Sequence, residues 1–140
     1  MKELVEQLKL HEGSRTHVYE CPMGYQTIGV GRNVDPDGGI GLSDDEIEYL
    51  LENDIRRCEK ELDRFSWFAD MDVVRQDALI NMCFNLGFTR LLKFKNMLSA
   101  LAEGRYQIAA AEALDSKWAK QVGQRAKDIA HMFSTGEYPK

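Results

Sequence analysis

The stretch HEGSRTHVYECPMGYQTIGVGRNV, residues 11–34, passes from helical to strand periodicity within a few residues. Upstream of it, Leu4, Val5, Leu8 and His11 share one stripe, with Glu3, Glu6, Gln7 and Lys9 opposite. That spacing predicts an amphipathic helix stopping at Gly13, a residue suited to a helix C-terminus. Downstream, Thr16 to Tyr19 alternates, Cys21-Pro22-Met23-Gly24 reads as a turn, and Tyr25 to Gly31 as a second strand. A hairpin or small meander follows from this pattern. Asp35-Pro36-Asp37-Gly38-Gly39 is a loop by its turn residues.

Beyond the loop the chain turns helical. Ser43 and Glu46 have the spacing of a capping box, and Ile47, Leu50, Leu51, Asp54, Ile55, Cys58 and Leu62 then share a face. Further helices are expected over 73–84, 94–101, 106–114 and 122–133, with breaks at Gly87, Gly104 and Gly123. The order is helix, small β region, long linking helix from about 44 to 63, then a helical bundle.

Composition narrows the function. The chain has 140 residues, 44% hydrophobic and 29% charged, enough for one domain with a core needing neither disulfides nor metals. No apolar run approaches the roughly 20 residues that span a bilayer, and the N-terminus lacks the apolar segment of a signal peptide. The net charge of −5 argues against nucleic acid as the partner. Lys+Arg against Asp+Glu are 9 and 18 over residues 1–83 but 9 and 5 over 84–140, so a basic back half could steer an anionic polymer. Cys21, Cys58 and Cys83 are odd in number and scattered, and His11, His17 and His131 are isolated. Neither set makes a disulfide framework or a metal site, so no metal and no cofactor are expected.

The chemistry concentrates in the β region as E-x8-C-x5-T: Glu12, Cys21 and Thr27. A carboxylic acid at a helix end, partly shielded by the core, can keep its proton and act as general acid. A thiol and a hydroxyl across a short hairpin can hold a water, or the thiolate can attack. At neutral pH the thiol needs help to ionise, and a cation such as Arg32 would supply it.

HEG-x5-Y-x4-GYQTIGVGR resembles the active-site stretch of the phage-type lysozymes, glycoside hydrolase family 24. DALINMCFNLG at 77–87, KFKNML at 93–98 and SKWAKQVGQRAKDIAHMFSTGEY at 116–138 continue the resemblance in the same order. It implies an α+β, two-lobed lysozyme fold. A β-containing lobe of about 13–60 is joined by the long helix to a helical lobe of about 64–140 plus 1–12, with an extended polysaccharide in the cleft between them.

The resemblance also assigns residues. Glu12 matches the family's general acid and Thr27 its catalytic threonine, while Cys21 stands where the family commonly has aspartate. Asn33, Phe84, Met97 and Glu112 match saccharide-contacting positions, and Asn85 beside Phe84 is a cleft hydrogen-bonder. Arg125 matches an arginine paired with the catalytic glutamate, and Arg32 replaces a histidine.

The implied activity is that of an endolysin muramidase, cutting the β-1,4 bond between N-acetylmuramic acid and N-acetylglucosamine in peptidoglycan. Such an enzyme is a monomer without stable membrane insertion. It waits in the host cytoplasm until a separate holin opens the way to the wall in the periplasm. A lytic transglycosylase acting on the same bond, and a catalytically weak cell-wall-binding module, are the alternatives. Free endolysin is expected over a tail-associated lysozyme, which belongs to a larger chain.

Overall fold

The computed structural model describes residues 1–140. Helix α1 runs Lys2–Glu12 and strands β1, β2 and β3 run Arg15–Glu20, Gln26–Gly29 and Arg32–Asn33. Helix α2 (Asp44–Leu62) follows, then a 3-10 turn at Phe68–Asp70. Helices α3 (Val73–Leu86), α4 (Phe88–Leu91), α5 (Lys95–Ala102), α6 (Tyr106–Leu114), α7 (Lys117–Val122) and α8 (Gln124–Thr135) complete the chain. The fold is α+β, with a small antiparallel sheet confined to the N-terminal part and helices thereafter. Two compact units result, residues 1–50 and 51–140, and their boundary falls within α2. No helix is long and apolar enough to cross a membrane.

In the first unit, α1 ends where Gly13 takes φ +78° and returns its N–H to the Lys9 carbonyl. The apolar stripe expected to be covered, Leu4, Val5 and Leu8, is exposed. The sheet order is β1-β2-β3, with Tyr19 opposite Thr27 on one side and Thr27 opposite Asn33 on the other. The β1–β2 register breaks between Arg15 and Tyr19, so the strands pair tightly only near the 21–25 turn.

The sequence pattern at Ser43 forms in part. Glu46 Oε1 returns to the Ser43 N–H at 2.9 Å, as a capping box requires. The Ser43 hydroxyl donates to the Asp45 and Glu46 carboxylates. The same Glu46 oxygen accepts Arg32 Nη1 at 2.7 Å, and Arg32 Nη1 also reaches the Gly41 carbonyl at 3.0 Å. Strand β3, the 34–43 loop and the start of α2 are thereby tied at one carboxylate.

The second unit holds the core. Leu62, Leu79, Met82, Leu91, Met97, Leu101, Ile129 and Phe133 are fully buried. Packing is most extensive between α6 and α8, where Ala109, Ala110 and Ala113 are buried on one helix and Ala126 and Ala130 on the other. Small side chains let two helix backbones approach closely, which suits this pair. The helix expected over 122–133 is α8, and the expected break at Gly123, φ +59°, separates it from α7, a short helix that the periodicity did not mark. Trp118, on α7, is buried and packs edge-on against Phe94. Arg75 stacks on Tyr106 and donates to the Phe133 and Ser134 carbonyls, closing the C-terminal end of α8.

Glu46 ionisation carries a pH signature. Bonds from Arg32 and from the Ser43 backbone and hydroxyl hold its carboxyl at about 2, against an ordinary 4.5. A depressed carboxyl contributes stability above its unfolded pKa, and loses it as pH falls through the folded one. Glu46→Gln is therefore expected to melt below wild type at neutral pH. The gap should close between pH 4.5 and 2, as followed by circular dichroism melts across that range.

Candidate functional site

The candidate acid, Glu12, is the last residue of α1 and is exposed. Its carboxylate lies against Gly31, in the turn between β2 and β3. A Cβ built on Gly31 would stand 2.9 Å from Glu12 Oε2, and Gly31 has φ +69°. Both facts call for glycine, one for room and one for backbone conformation. The -GVGR- run therefore forms the wall on which Glu12 rests, a role spacing did not reveal.

Cys21 and Thr27 meet at the opposite end of β2. Residues 21–25 close on themselves: Cys21 N–H donates to the Tyr25 carbonyl at 2.9 Å, Gly24 N–H to the Cys21 carbonyl at 2.8 Å, and Tyr25 N–H to the Cys21 sulfur at 3.3 Å. Thr27 is the one buried polar residue, 4% exposed. Its hydroxyl donates to the Tyr25 carbonyl at 2.9 Å.

These contacts lower the thiol pKa of Cys21, led by the Tyr25 amide and aided by Met23, Thr27 and Gly24, against an opposing desolvation. The help expected from Arg32 is thus supplied by backbone donors. Arg32 itself is engaged by Glu46 and Gly41.

Asn33 is the cross-strand partner of Thr27, and its Oδ1 accepts the Asp35 N–H at 2.9 Å. Asp35 in turn accepts the Gln26 and Asp37 amides, which lower its carboxyl pKa. The loop at 33–39 is therefore pinned to the start of β2 by side chains that spacing alone did not single out.

The remaining candidates lie in the second unit, and all but Asn85 line one of two depressions. Phe84, 44% exposed, lines a groove of about 450 Å³ with Arg125, Asn81, Leu51, Ile55 and Ile80. Arg125 Nε donates to Asn81 Oδ1 at 2.9 Å, so Asn81 orients it. Met97 and Glu112 line a smaller pocket of about 260 Å³ with Phe94, Asn96 and Ser116. Met97 is buried at 1% exposure and offers that pocket only a wall. Asn85 Oδ1 accepts the Trp118 indole N–H at 2.7 Å, which orients its side-chain amide. No group of three or more His, Cys, Asp or Glu side chains is arranged to hold a metal ion.

A helix, a three-stranded antiparallel sheet, a long helix and a helical bundle, in that order, define a two-lobed lysozyme fold of the α+β class. The chain belongs to the phage lysozyme family, whose description residues 9–131 match. It is 29% identical to a probable T4-type lysozyme 2 of Dictyostelium discoideum, over 97% of this chain and 96% of that protein. It is 28% identical to an endolysin of Acyrthosiphon pisum secondary endosymbiont phage 1, over 84% and 80% of the two chains. The pre-baseplate central spike protein Gp5 of Enterobacteria phage T4 shares 29% identity over 95% of this chain but only 28% of its own length. The protein is accordingly a lysozyme, an enzyme that hydrolyses cell wall and takes peptidoglycan as substrate.

The contact between Glu12 and Gly31 yields a test. Gly31→Ala costs about 1–2 kcal/mol for a left-handed alanine and pushes the Glu12 carboxylate from its seat. The variant is expected to fold with a slightly lower Tm and to lose at least about tenfold in kcat, since small misplacements of a reacting group are costly. Wild-type kcat in Gly31→Ala would show that Glu12 does not depend on this wall.

Proposed function

We propose that the chain is an endolysin muramidase that cuts the β-1,4 bond between N-acetylmuramic acid and N-acetylglucosamine. Glu12 protonates the leaving glycosidic oxygen, and Cys21 with Thr27 holds a water for the sugar carbon. The observation that carries this reading is the Tyr25 backbone, whose amide donates to the Cys21 sulfur at 3.3 Å while its carbonyl accepts the Thr27 hydroxyl at 2.9 Å. That amide favours the thiolate over the thiol, and a thiolate can take a carboxylate's part in activating the water.

Placement at the two ends of β2 also supports the division of labour. Glu12 meets the turn after β2 and Cys21 the turn before it. Glycosidic hydrolysis with a free water needs the acid and the water-holding group on opposite sides of the sugar carbon, farther apart than a nucleophile paired with its acid. Asn33, Phe84, Met97 and Glu112 are proposed to contact saccharide, Asn85 to donate through its amide, and Arg125, oriented by Asn81, to support Glu12.

The lobe boundaries read from the sequence, about 13–60 and about 64–140 with 1–12, belong to the same proposal. So do the biological terms: a monomer that stays in the host cytoplasm until a holin opens the membrane, then lyses the wall from the periplasm to release phage progeny.

Glu12→Gln tests the centre. The variant keeps the side-chain shape and loses the proton, so lysis of outer-membrane-permeabilised cells should fall by about 10²–10⁴-fold with Tm unchanged. Wild-type digests should carry reducing muramic acid ends. Anhydro ends would mean transglycosylation without water, and near-wild-type lysis by Glu12→Gln would remove Glu12 from the chemistry.

A further inference from the structure

Strand β3 is only two residues long, Arg32–Asn33, and a side chain continues its pairing. The Gln26 carbonyl accepts the Val34 N–H at 2.9 Å, and the Gln26 N–H donates to Asp35 Oδ2 at 2.9 Å. The Asp35 carboxylate thus takes the N–H that a strand carbonyl would take if the β2–β3 ladder ran on. Its other oxygen, Oδ1, accepts the Asp37 N–H at 2.9 Å. Both amides favour the charged carboxylate and lower its pKa.

The same residue holds Asn33, which lies opposite Thr27. Asp35 N–H donates to Asn33 Oδ1 at 2.9 Å. The main chain closes around the pair, with the Gly39 N–H on the Asp35 carbonyl at 2.9 Å and the Gly41 N–H on the Asn33 carbonyl at 3.1 Å. A Cβ at Gly39 would stand 2.5 Å from Asn33 Oδ1, so glycine is what lets the carboxamide lie there. A carboxamide oriented through its oxygen presents its Nδ2 donors on the other side.

We propose that Asp35 is a positioning residue for the glycan: its carboxylate on Gln26 and its amide on Asn33 hold the Asn33 carboxamide with its N–H groups ready for an oxygen of the saccharide. The inference rests on the reading of Asn33 as a saccharide contact, which it deepens. A donor ordered in advance loses little rotamer freedom on binding, so the effect is on affinity. Asp35→Asn offers one oxygen and one NH2 where two amides need two acceptors, and the loop loosens. Strand β2 keeps its pairing to β1 and its bond to Val34, so Thr27 stays in place.

The test measures binding and turnover separately. A soluble oligomer of alternating N-acetylglucosamine and N-acetylmuramic acid is titrated by calorimetry into the full chain carrying Glu12→Gln. The same titration follows with Asp35→Asn, Gly39→Ala or Asn33→Ala added. Each addition is expected to weaken binding by about tenfold, the size of one hydrogen bond. Gly39→Ala displaces the carboxamide without touching the Asp35 charge, and so serves if Asp35→Asn does not fold. Asp35→Asn on top of Asn33→Ala should cost nothing more, because both act through one contact. With Glu12 restored, Asp35→Asn should raise KM about tenfold and keep kcat within about threefold, whereas a loss of folded protein lowers kcat at unchanged KM. Unweakened binding in Asp35→Asn beside weakened binding in Asn33→Ala would overturn the role of Asp35 alone. Unweakened binding in Asn33→Ala would overturn it together with the reading of Asn33. Additive losses in the double variant, or a fall in kcat at unchanged KM, would also overturn it.

Discussion

The candidate site depends on the closure of residues 21–25 around Tyr25. Its amide donates to the Cys21 sulfur, while its carbonyl accepts both the Cys21 amide and the Thr27 hydroxyl. One residue's backbone therefore fixes the thiol, the hydroxyl and the start of β2 together. A neutral thiol gains little from such donors, but a thiolate gains a charge-assisted hydrogen bond with each. The turn lowers the thiol pKa and so favours the thiolate.

Around that turn the first unit is held by polar contacts rather than by a core. Thr27 is its only fully buried residue, and Glu46, Asp35 and Asn33 do the tying through hydrogen bonds. The second unit is the reverse, with a continuous apolar core and alanine-lined helix packing. Bonds exchanged against water contribute modestly to stability, whereas apolar burial contributes in proportion to area. A polar-tied sheet can yield locally while the helical core stays intact, and exposed, locally yielding segments are where binding groups are commonly held.

Local features were legible in the sequence because local rules fix them. Gly13 stops α1, the 21–25 turn joins β1 to β2, and Gly87 and Gly123 mark helix ends as their residue types dictate. The family resemblance added Glu12, Cys21 and Thr27 as candidates, which spacing alone left weakly marked. Partners distant in sequence were not legible. Arg32 finds Glu46 fourteen residues on, Asn85 finds Trp118, and Arg125 finds Asn81, each choice made by folding and not by periodicity. The burial of Met97 likewise follows from helix packing, which a one-dimensional pattern does not contain.

Ionisation of Cys21 bears most directly on the claim that a backbone-held thiolate works beside Thr27. Its alkylation rate by iodoacetamide, read residue by residue by mass spectrometry from pH 5 to 10, gives that ionisation without reference to activity. The turn geometry predicts a midpoint below the ordinary thiol value of 9.0, with hydrolysis lost in step with modification at Cys21 and with Cys58 and Cys83 unmodified. A midpoint at or above 9.0, or full hydrolysis by enzyme alkylated at Cys21, would contradict it.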